Sequence, residues 1–338
     1  MMTNAAAKKP TNLKSRVARA AFAMGALAIG ALGALPAQAQ MPARFYWKSL
    51  SGGNAAALLV ESMSGNTNPF NPALTVEPGA NFDGTVAILA FAHSFTLFDR
   101  SATAAIIAPM GRVTGEFDVA GKIVSQSSNG FANPMLEFDI NLIGPKAQKS
   151  IPDAMRYEPG FSVDILADLA FPIGKYDATQ SLNIGQNRWY GRLGLPIVWQ
   201  IGSWVPGRRT TLEVLPVVWL FGDNNDYLGQ KLSTDPLFQI DGHLTRDFTD
   251  SLWGAVDASY YNGAKSTING VSTQPLDNFG VGLTLGYRLN DNLGLTFGYK
   301  TTVNDSAPDA LRFDNFMFTL VYGWHPLVEG SKRLQGEK

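Results

Sequence analysis

Alternation of apolar and polar residues with a period of two constrains this chain more than any other feature of its sequence. In segment 312–324 one face carries Phe316, Phe318, Leu320, Tyr322 and Trp324, and the other carries Asn315, Met317, Thr319 and Gly323. Successive side chains of a β-strand point to opposite faces, so the pattern predicts a strand that is apolar on one face only. Similar segments are 54–63, 82–95, 102–113, 136–142, 161–171, 189–197, 210–220, 238–245, 251–261, 279–288 and 293–302, of which the first three are apolar on both faces.

These segments predict about twelve strands of roughly 10–14 residues, long enough to cross a bilayer when tilted. Their connectors alternate in length, as the short periplasmic turns and longer external loops of an outer-membrane barrel do. Short connectors occupy 98–101, 202–208, 247–250 and 289–292, and longer ones occupy 64–80, 114–132, 173–186, 222–235, 262–276 and 303–311. Segment 144–160 is long where a short turn is expected, so it holds either an overlooked strand or a long periplasmic turn. A soluble β-sandwich or propeller is the alternative, because soluble sheets also alternate.

The N-terminus predicts export. Residues 1–19 contain five basic and no acidic residues, residues 20–35 are apolar, and Ala37-Gln38-Ala39 follows Pro36. This is the pattern of a cleaved secretory signal peptide. The predicted organisation is a signal peptide at 1–39, a periplasmic N-terminal segment at 40–53, a barrel at 54–324 and a tail at 325–338. The segment 41–53, with Phe45, Tyr46 and Trp47, is short enough to enter the lumen or seal its base.

Composition narrows the possible functions. Cleavage after residue 39 leaves 22 basic and 28 acidic residues, which disfavours nucleic acid as a partner. The chain has no cysteine, and it has no metal-binding motif such as His-Glu-x-x-His. We therefore expect no metal and no cofactor. Charged residues make up only 16 % of the chain, below the roughly 25 % of soluble domains, which agrees with a lipid-facing surface.

One central stretch resembles a known family. Residues 157–189 read YEPGFSVDILADLAFPIGKYDATQSLNIGQNRW, with Pro172, Gly174, Tyr176 and Asp177 followed by Leu182, Asn183, Gly185, Asn187, Arg188 and Trp189. This stretch resembles the outer-membrane transporter family labelled "putative MetA-pathway of phenol degradation". The likeness extends over roughly residues 82–323. It implies an outer-membrane barrel that passes small, often hydrophobic or aromatic compounds.

Polar residues on the inward faces are candidates for lining a lumen: Glu137, Asp139, Asp164, Asp168, Arg188, Arg192, Glu213, Asp241, His243, Asp257, Arg288 and Lys300. Inside a barrel these charges must be hydrated or paired. One interpretation is that they select polar solutes, and the other is that they pair to fix strand register. As a set they predict a polar interior rather than an apolar one.

The central motif is predicted to form an external loop, with Tyr176, Asp177, Asn183, Gly185 and Asn187 as its marked residues. Functionally, the loop would fold over the mouth of the barrel and contact solute. Structurally, the glycines would permit tight turns, and Trp189 would anchor at the interface. In that second interpretation Arg188 would pair inside with an acid such as Asp164 or Asp168.

Three functions follow as hypotheses. The first is a channel of the Gram-negative outer membrane for passive passage of small, hydrophobic or aromatic compounds. The second is a structural or adhesive barrel with a closed lumen and partner-binding loops. The third is an outer-membrane hydrolase acting through His243, although no serine is marked as its partner, so we expect no catalytic residues and no enzyme. The expected partners are outer-membrane lipids, the barrel-assembly machinery and a small-molecule solute, and the sequence leaves the oligomeric state open.

Overall fold

The computed structural model describes residues 42–119, 122–303, 307 and 309–334, so the predicted signal peptide lies outside the described residues. Eighteen strands and two short helices are present in the described part of the chain. The strands are β1 Asn54–Gly65, β2 Asn81–Leu97, β3 Arg100–Val119, β4 Lys122–Phe131, β5 Met135–Ile143, β6 Phe161–Ala170, β7 Tyr190–Gly194, β8 Ile197–Gln200, β9 Thr210–Phe221, β10 Asn224–Tyr227, β11 Gln230–Thr234, β12 Leu237–Asp247, β13 Leu252–Gly263, β14 Ser266–Ile268, β15 Val271–Ser272, β16 Leu276–Arg288, β17 Leu293–Val303 and β18 Phe313–Trp324. The helices are α1 Ile151–Arg156 and α2 Pro326–Leu334.

The predicted antiparallel barrel of twelve strands is confirmed. The pairing of β1 with β18, from Asn54 opposite Trp324 to Gly65 opposite Phe313, closes the sheet on itself. Two of the twelve barrel strands are interrupted. Strands β4 and β5 pair with successive parts of β3, and β7 and β8 pair with successive parts of β6 and β9. Each interruption contains a proline, Pro134 or Pro196, which has no N–H for the hydrogen-bond ladder.

The alternation of the sequence determines which face meets lipid. Along β12 and β13, for example, Leu244 and Val256 are at least half exposed, whereas their inward neighbours His243 and Asp257 are buried. Closure removes the sheet edges, and the apolar residues that face outward match the hydrocarbon of a bilayer. No helix in the described residues is long and apolar enough to cross a membrane.

The two ends of the barrel differ. The turn end carries the connections 98–99, 201–209, 248–251 and 289–292, together with Asn54 and Trp324. By the rule for outer-membrane barrels, this is the end predicted to face the periplasm. Segment 144–160 also lies there and contains α1, so it is a long turn and holds no strand.

The loop end is more ordered than the sequence predicts. Residues 114–132 are not a loop, because β3 and β4 continue as a hairpin paired from Met110–Phe131 to Val119–Lys122. The connections 222–235 and 262–276 contain β10, β11, β14 and β15, which form a separate four-stranded sheet. The long connectors therefore build a folded cap at the mouth of the barrel.

Candidate functional site

Residues 42–50 lie within the barrel, where most of their side chains are buried. We call this stretch and the following three residues the N-terminal segment, 42–53. Arg44 fastens it to the wall, since its backbone N–H donates to Glu213 at 2.6 Å and its guanidinium pairs with Asp247 at 2.6 Å. Trp47 Nε1 donates to the second oxygen of Glu213 at 2.8 Å. One inward acid of β9 thus holds two residues of the segment.

Further contacts seal the turn end. Lys48 Nζ forms an ion pair with Asp164 and lies 3.6 Å from Asp139 Oδ1. Leu50 packs with Ala154 of α1 and Val328 of α2 in a small apolar cluster. The segment, the long turn and the C-terminal helix therefore close the same end of the lumen.

All twelve residues predicted to line the lumen are buried, each less than a tenth exposed: Glu137, Asp139, Asp164, Asp168, Arg188, Arg192, Glu213, Asp241, His243, Asp257, Arg288 and Lys300. Most of them form hydrogen-bonded groups. On β5–β7, Arg192 Nε pairs with Asp168, and its Nη2 lies 3.5 Å from Glu137 Oε2. This group connects three adjacent strands in register.

A second polar group lies on β12, β13 and β16. His243 Nδ1 is 2.6 Å from Asp257 Oδ1, and Thr284 donates to the other oxygen of Asp257 at 2.6 Å. Beside them, Asp241 accepts hydrogen bonds from Ser259 at 2.6 Å and from Gln239 at 2.7 Å. Neighbouring strands thus share these acids through short polar contacts.

Two members of the predicted set have a different environment. The stem of Lys300 packs against Gly282 on the neighbouring strand, where an added Cβ would lie 2.6 Å from Lys300 Cγ. Arg288 donates to the carbonyl of Asp250 at the turn end. Neither position was distinguished from the others by the sequence pattern.

The predicted pairing of Arg188 with Asp164 or Asp168 is wrong. Asp168 is directly opposite Arg192 in the β6–β7 register, and Asp164 is taken by Lys48. Arg188 instead donates to Thr234 Oγ1 at 2.7 Å, and its guanidinium carbon lies 5.0 Å from the centre of the Phe221 ring. Both arginines face inward, and only the strand register decides which of them reaches the acid.

The prediction of a polar interior is wrong for the loop side of the lumen. There the inward side chains are mainly apolar and form one buried cluster that includes Met63, Val86, Ile88, Ile107, Met135, Ala170, Tyr190, Trp219, Leu237, Tyr261, Leu276 and Phe313. The signal in the sequence was the apolar character of both faces in 54–63, 82–95 and 102–113. One face meets lipid and the other meets this interior.

The motif loop folds over this apolar region. Asn183 organises it by accepting the N–H of Asp177 and donating to the carbonyls of Asp177 and Gln180. Gly185 packs on Gly174, where an added Cβ would lie 2.6 Å from backbone. Tyr176 donates to the Asp226 carbonyl at 2.8 Å, so the loop is joined to the four-stranded sheet.

Two polar side chains fix the loop in place. Asn187, which has a positive φ of 50°, donates to Asn224 at 3.0 Å. Asn133, at the break between β4 and β5, accepts from the N–H groups of Gly174 and Gln186. The structure thus gives all five marked residues of the motif contacts within the cap.

A cavity of about 480 Å³ opens within the cap, and we call it the mouth cavity. Its lining combines apolar or aromatic side chains, including Val76, Phe117, Tyr227 and Ile268, with the amide and hydroxyl groups of several Asn, Gln, Ser and Thr residues. Glu77 also lines it, and burial raises the pKa of that carboxyl to about 7. The cavity therefore combines apolar and polar side chains with an acid that is easily protonated.

Two observations on the described residues bear on metal binding and catalysis. These residues contain no group of three or more His, Cys, Asp or Glu side chains placed to hold a metal ion. His243 pairs with Asp257, but its Nε2 has no hydrogen-bond partner in the described part of the chain, so no serine is placed as a nucleophile.

Comparisons with known proteins agree with the fold. A family model described as "Putative MetA-pathway of phenol degradation" matches residues 60–320. An outer membrane channel from Pseudomonas putida F1 superposes with a TM-score of 0.65 at 14 % identity, over 81 % of this chain and 96 % of that one. The transport unit of the autotransporter AIDA-I from Escherichia coli gives a TM-score of 0.45 at 9 % identity, over 94 % and 99 %. No curated protein sequence matches significantly. Fold and family place the chain in the Gram-negative outer membrane.

Proposed function

Because this chain belongs to the family described as "Putative MetA-pathway of phenol degradation", we propose that it is a channel for passive passage of small hydrophobic or aromatic compounds. The observation that carries the proposal is the apolar inner surface on the loop side of the lumen. Polar solutes gain nothing from such a surface, whereas an apolar solute is stabilised by about 25 cal/mol for each Å² it buries.

The path begins at the mouth cavity, continues along the apolar inner surface and meets the N-terminal segment. Because Phe45, Tyr46 and Trp47 belong to the same apolar cluster, a solute that reaches them competes for the surface that the segment covers. Passage to the periplasm then requires the segment to shift from its anchors at Glu213 and Asp247.

Two adjacent isoleucines provide a matched test. Ile107 faces the lumen and is fully buried, while Ile106 faces lipid and is 58 % exposed. We expect Ile107→Thr to slow uptake of toluene into vesicles that contain the barrel by about 5- to 10-fold, because a hydroxyl on the path weakens binding of an apolar solute. Ile106→Thr, the control, should leave uptake unchanged.

The packed N-terminal segment also favours the second candidate, a structural barrel with a closed lumen. The same vesicles separate the two functions. A closed barrel would give no faster toluene uptake than empty vesicles, and that result would overturn the channel proposal. Native folding of each variant is checked by heat-modifiable mobility on electrophoresis.

A further inference from the structure

Arg188 is a buried cation without an ion-pair partner among the described residues, since the nearby carboxylate of Asp223 attracts it but pairs with Lys231 at 2.7 Å. It lies two residues before Tyr190, which faces inward, and only 2 % of its surface is exposed. Its Nη1 donates to Thr234 and its guanidinium lies over Phe221. No carboxylate of the described residues forms an ion pair with it.

Three other arginines inside the barrel have carboxylate partners. Arg44 and Arg209 share Asp247, and Arg192 pairs with Asp168 and Glu137. A buried charge without a partner is costly, so folds seldom keep one for stability alone. Burial lowers the pKa of Arg188 to about 10, which still leaves the guanidinium charged at neutral pH.

The free edge of Arg188 has a specific shape. Within the described part of the chain, its Nε and Nη2 atoms both lack a hydrogen-bond partner, while Nη1 donates to Thr234. The N–H groups of Nε and Nη2 point in the same direction from one edge of the planar guanidinium. Two parallel donors of this kind match the two oxygens of a carboxylate in a bidentate pair.

Aromatic side chains lie next to this guanidinium, whose carbon is 5.0 Å from the centre of the Phe221 ring and which is also close to Tyr190. Tyr190, Trp219 and Leu237 belong to the buried apolar cluster of the lumen, and Phe221 packs against it. A ligand that placed a carboxylate on Arg188 would therefore have its remaining atoms among aromatic and aliphatic side chains. Such a site suits a monocarboxylate with an apolar or aromatic body.

Hydroxyl groups connect Arg188 to the mouth cavity. Thr234 Oγ1 lies 3.1 Å from Ser266 Oγ, which lies 3.0 Å from Thr75 Oγ1. Ser266 and Thr75 both line the cavity. Thr234 thus links the guanidinium of Arg188 to a side chain that lines the mouth cavity, and a solute that moved inward past Ser266 would reach it.

We propose that Arg188 is a carboxylate-binding site at the boundary between the mouth cavity and the lumen, and that it takes monocarboxylates with an apolar or aromatic body. The site deepens the proposed channel function by naming a solute class. Binding to Arg188 can be measured without measuring transport, so an experiment can contradict the binding site and the channel function independently.

The test measures binding of benzoate and of benzamide, its neutral near-isostere, to the purified full-length mature barrel in detergent by calorimetry. We expect the wild-type barrel to bind benzoate at least tenfold more tightly. Arg188→Gln should remove this preference, and Arg188→Lys should lose most of it because an ammonium group lacks the paired donors. Arg156→Gln, a change on the exposed surface of α1, is the matched control and should keep the preference.

The thermal or chemical stability of the Arg188 variant distinguishes a role in ligand binding from a structural role. If Arg188 serves the ligand, Arg188→Gln should leave the unfolding midpoint unchanged or raise it, because an unpaired buried charge is removed. Equal binding of benzoate and benzamide by the wild type, or a benzoate preference that survives in both Arg188 variants, would overturn the site. If Arg188→Gln does not fold, the benzoate preference of Arg188→Lys, which keeps the positive charge, provides the test instead. If the barrel binds benzoate selectively but does not transport toluene, the proposed binding site stands and the channel proposal is overturned.

Discussion

Removing the side chain of Arg44 is the most direct perturbation of the closed lumen. Its guanidinium pairs with Asp247 at 2.6 Å and lies 4.3 Å from the centre of the Trp253 ring, so it attaches the N-terminal segment to two strands. The Arg44→Ala variant loses both contacts. It keeps the backbone hydrogen bond to Glu213, since that bond uses the N–H.

The magnitude follows from the partners that remain. Breaking a buried ion pair costs about 3–5 kcal/mol when the other charge is left alone. Asp247 keeps Arg209 at 2.8 Å, so the lower end of about 3 kcal/mol applies. Since about 1.4 kcal/mol changes an equilibrium tenfold, the population of the released segment should rise roughly 100-fold.

Chemical labelling measures this population. The chain has no cysteine, so Ala43→Cys provides a single thiol beside the anchor, at a residue that is 6 % exposed. Reaction of this thiol with a maleimide should accelerate about 100-fold when Arg44→Ala is added. Arg156→Ala, at an exposed residue of α1, is the matched control and should leave the rate unchanged. A rate increase of less than about threefold in a correctly folded Arg44 variant would refute the anchoring role.

Two further predictions concern the lumen wall and the mouth. Arg192→Met leaves Asp168 and Glu137 buried without their cation, so the free energy of unfolding in detergent should fall by about 3–5 kcal/mol, and an unchanged urea midpoint would contradict the pairing. Burial raises the pKa of Glu77 from its usual 4.5 to about 7. The folded cap therefore binds this proton more tightly than the unfolded chain does. Its stability should fall as the pH rises from about 4.5 to 7. Chymotrypsin should therefore cleave at Phe70 faster in the wild type than in Glu77→Gln at pH 8, with the two rates converging at pH 5, and a constant ratio across that range would argue against the shift.

The pairing of the polar side chains inside the barrel could not be predicted from the sequence. Arg188 and Arg192 lie four residues apart on one inward face, and the sequence analysis predicted an acid such as Asp164 or Asp168 as the partner of Arg188. Register decided between them, because Asp168 is directly opposite Arg192 when β6 and β7 pair. Contacts of the N-terminal segment join residues that lie even farther apart in the sequence, since Arg44 and Glu213 are separated by 169 positions.

The C-terminal alternation from Phe316 to Trp324 already determined that this chain forms long strands with one lipid-facing side, because side-chain direction in a strand is local and has a period of two. Family motifs and the rhythm of the connectors, which are also local, predicted the barrel and the periplasmic position of its turn end. Only the tertiary structure showed which charged side chains pair and that the loop side of the lumen is apolar. It also placed residues 42–50 within the barrel. Those features depend on closure of β1 onto β18, which brings together residues from the two ends of the chain.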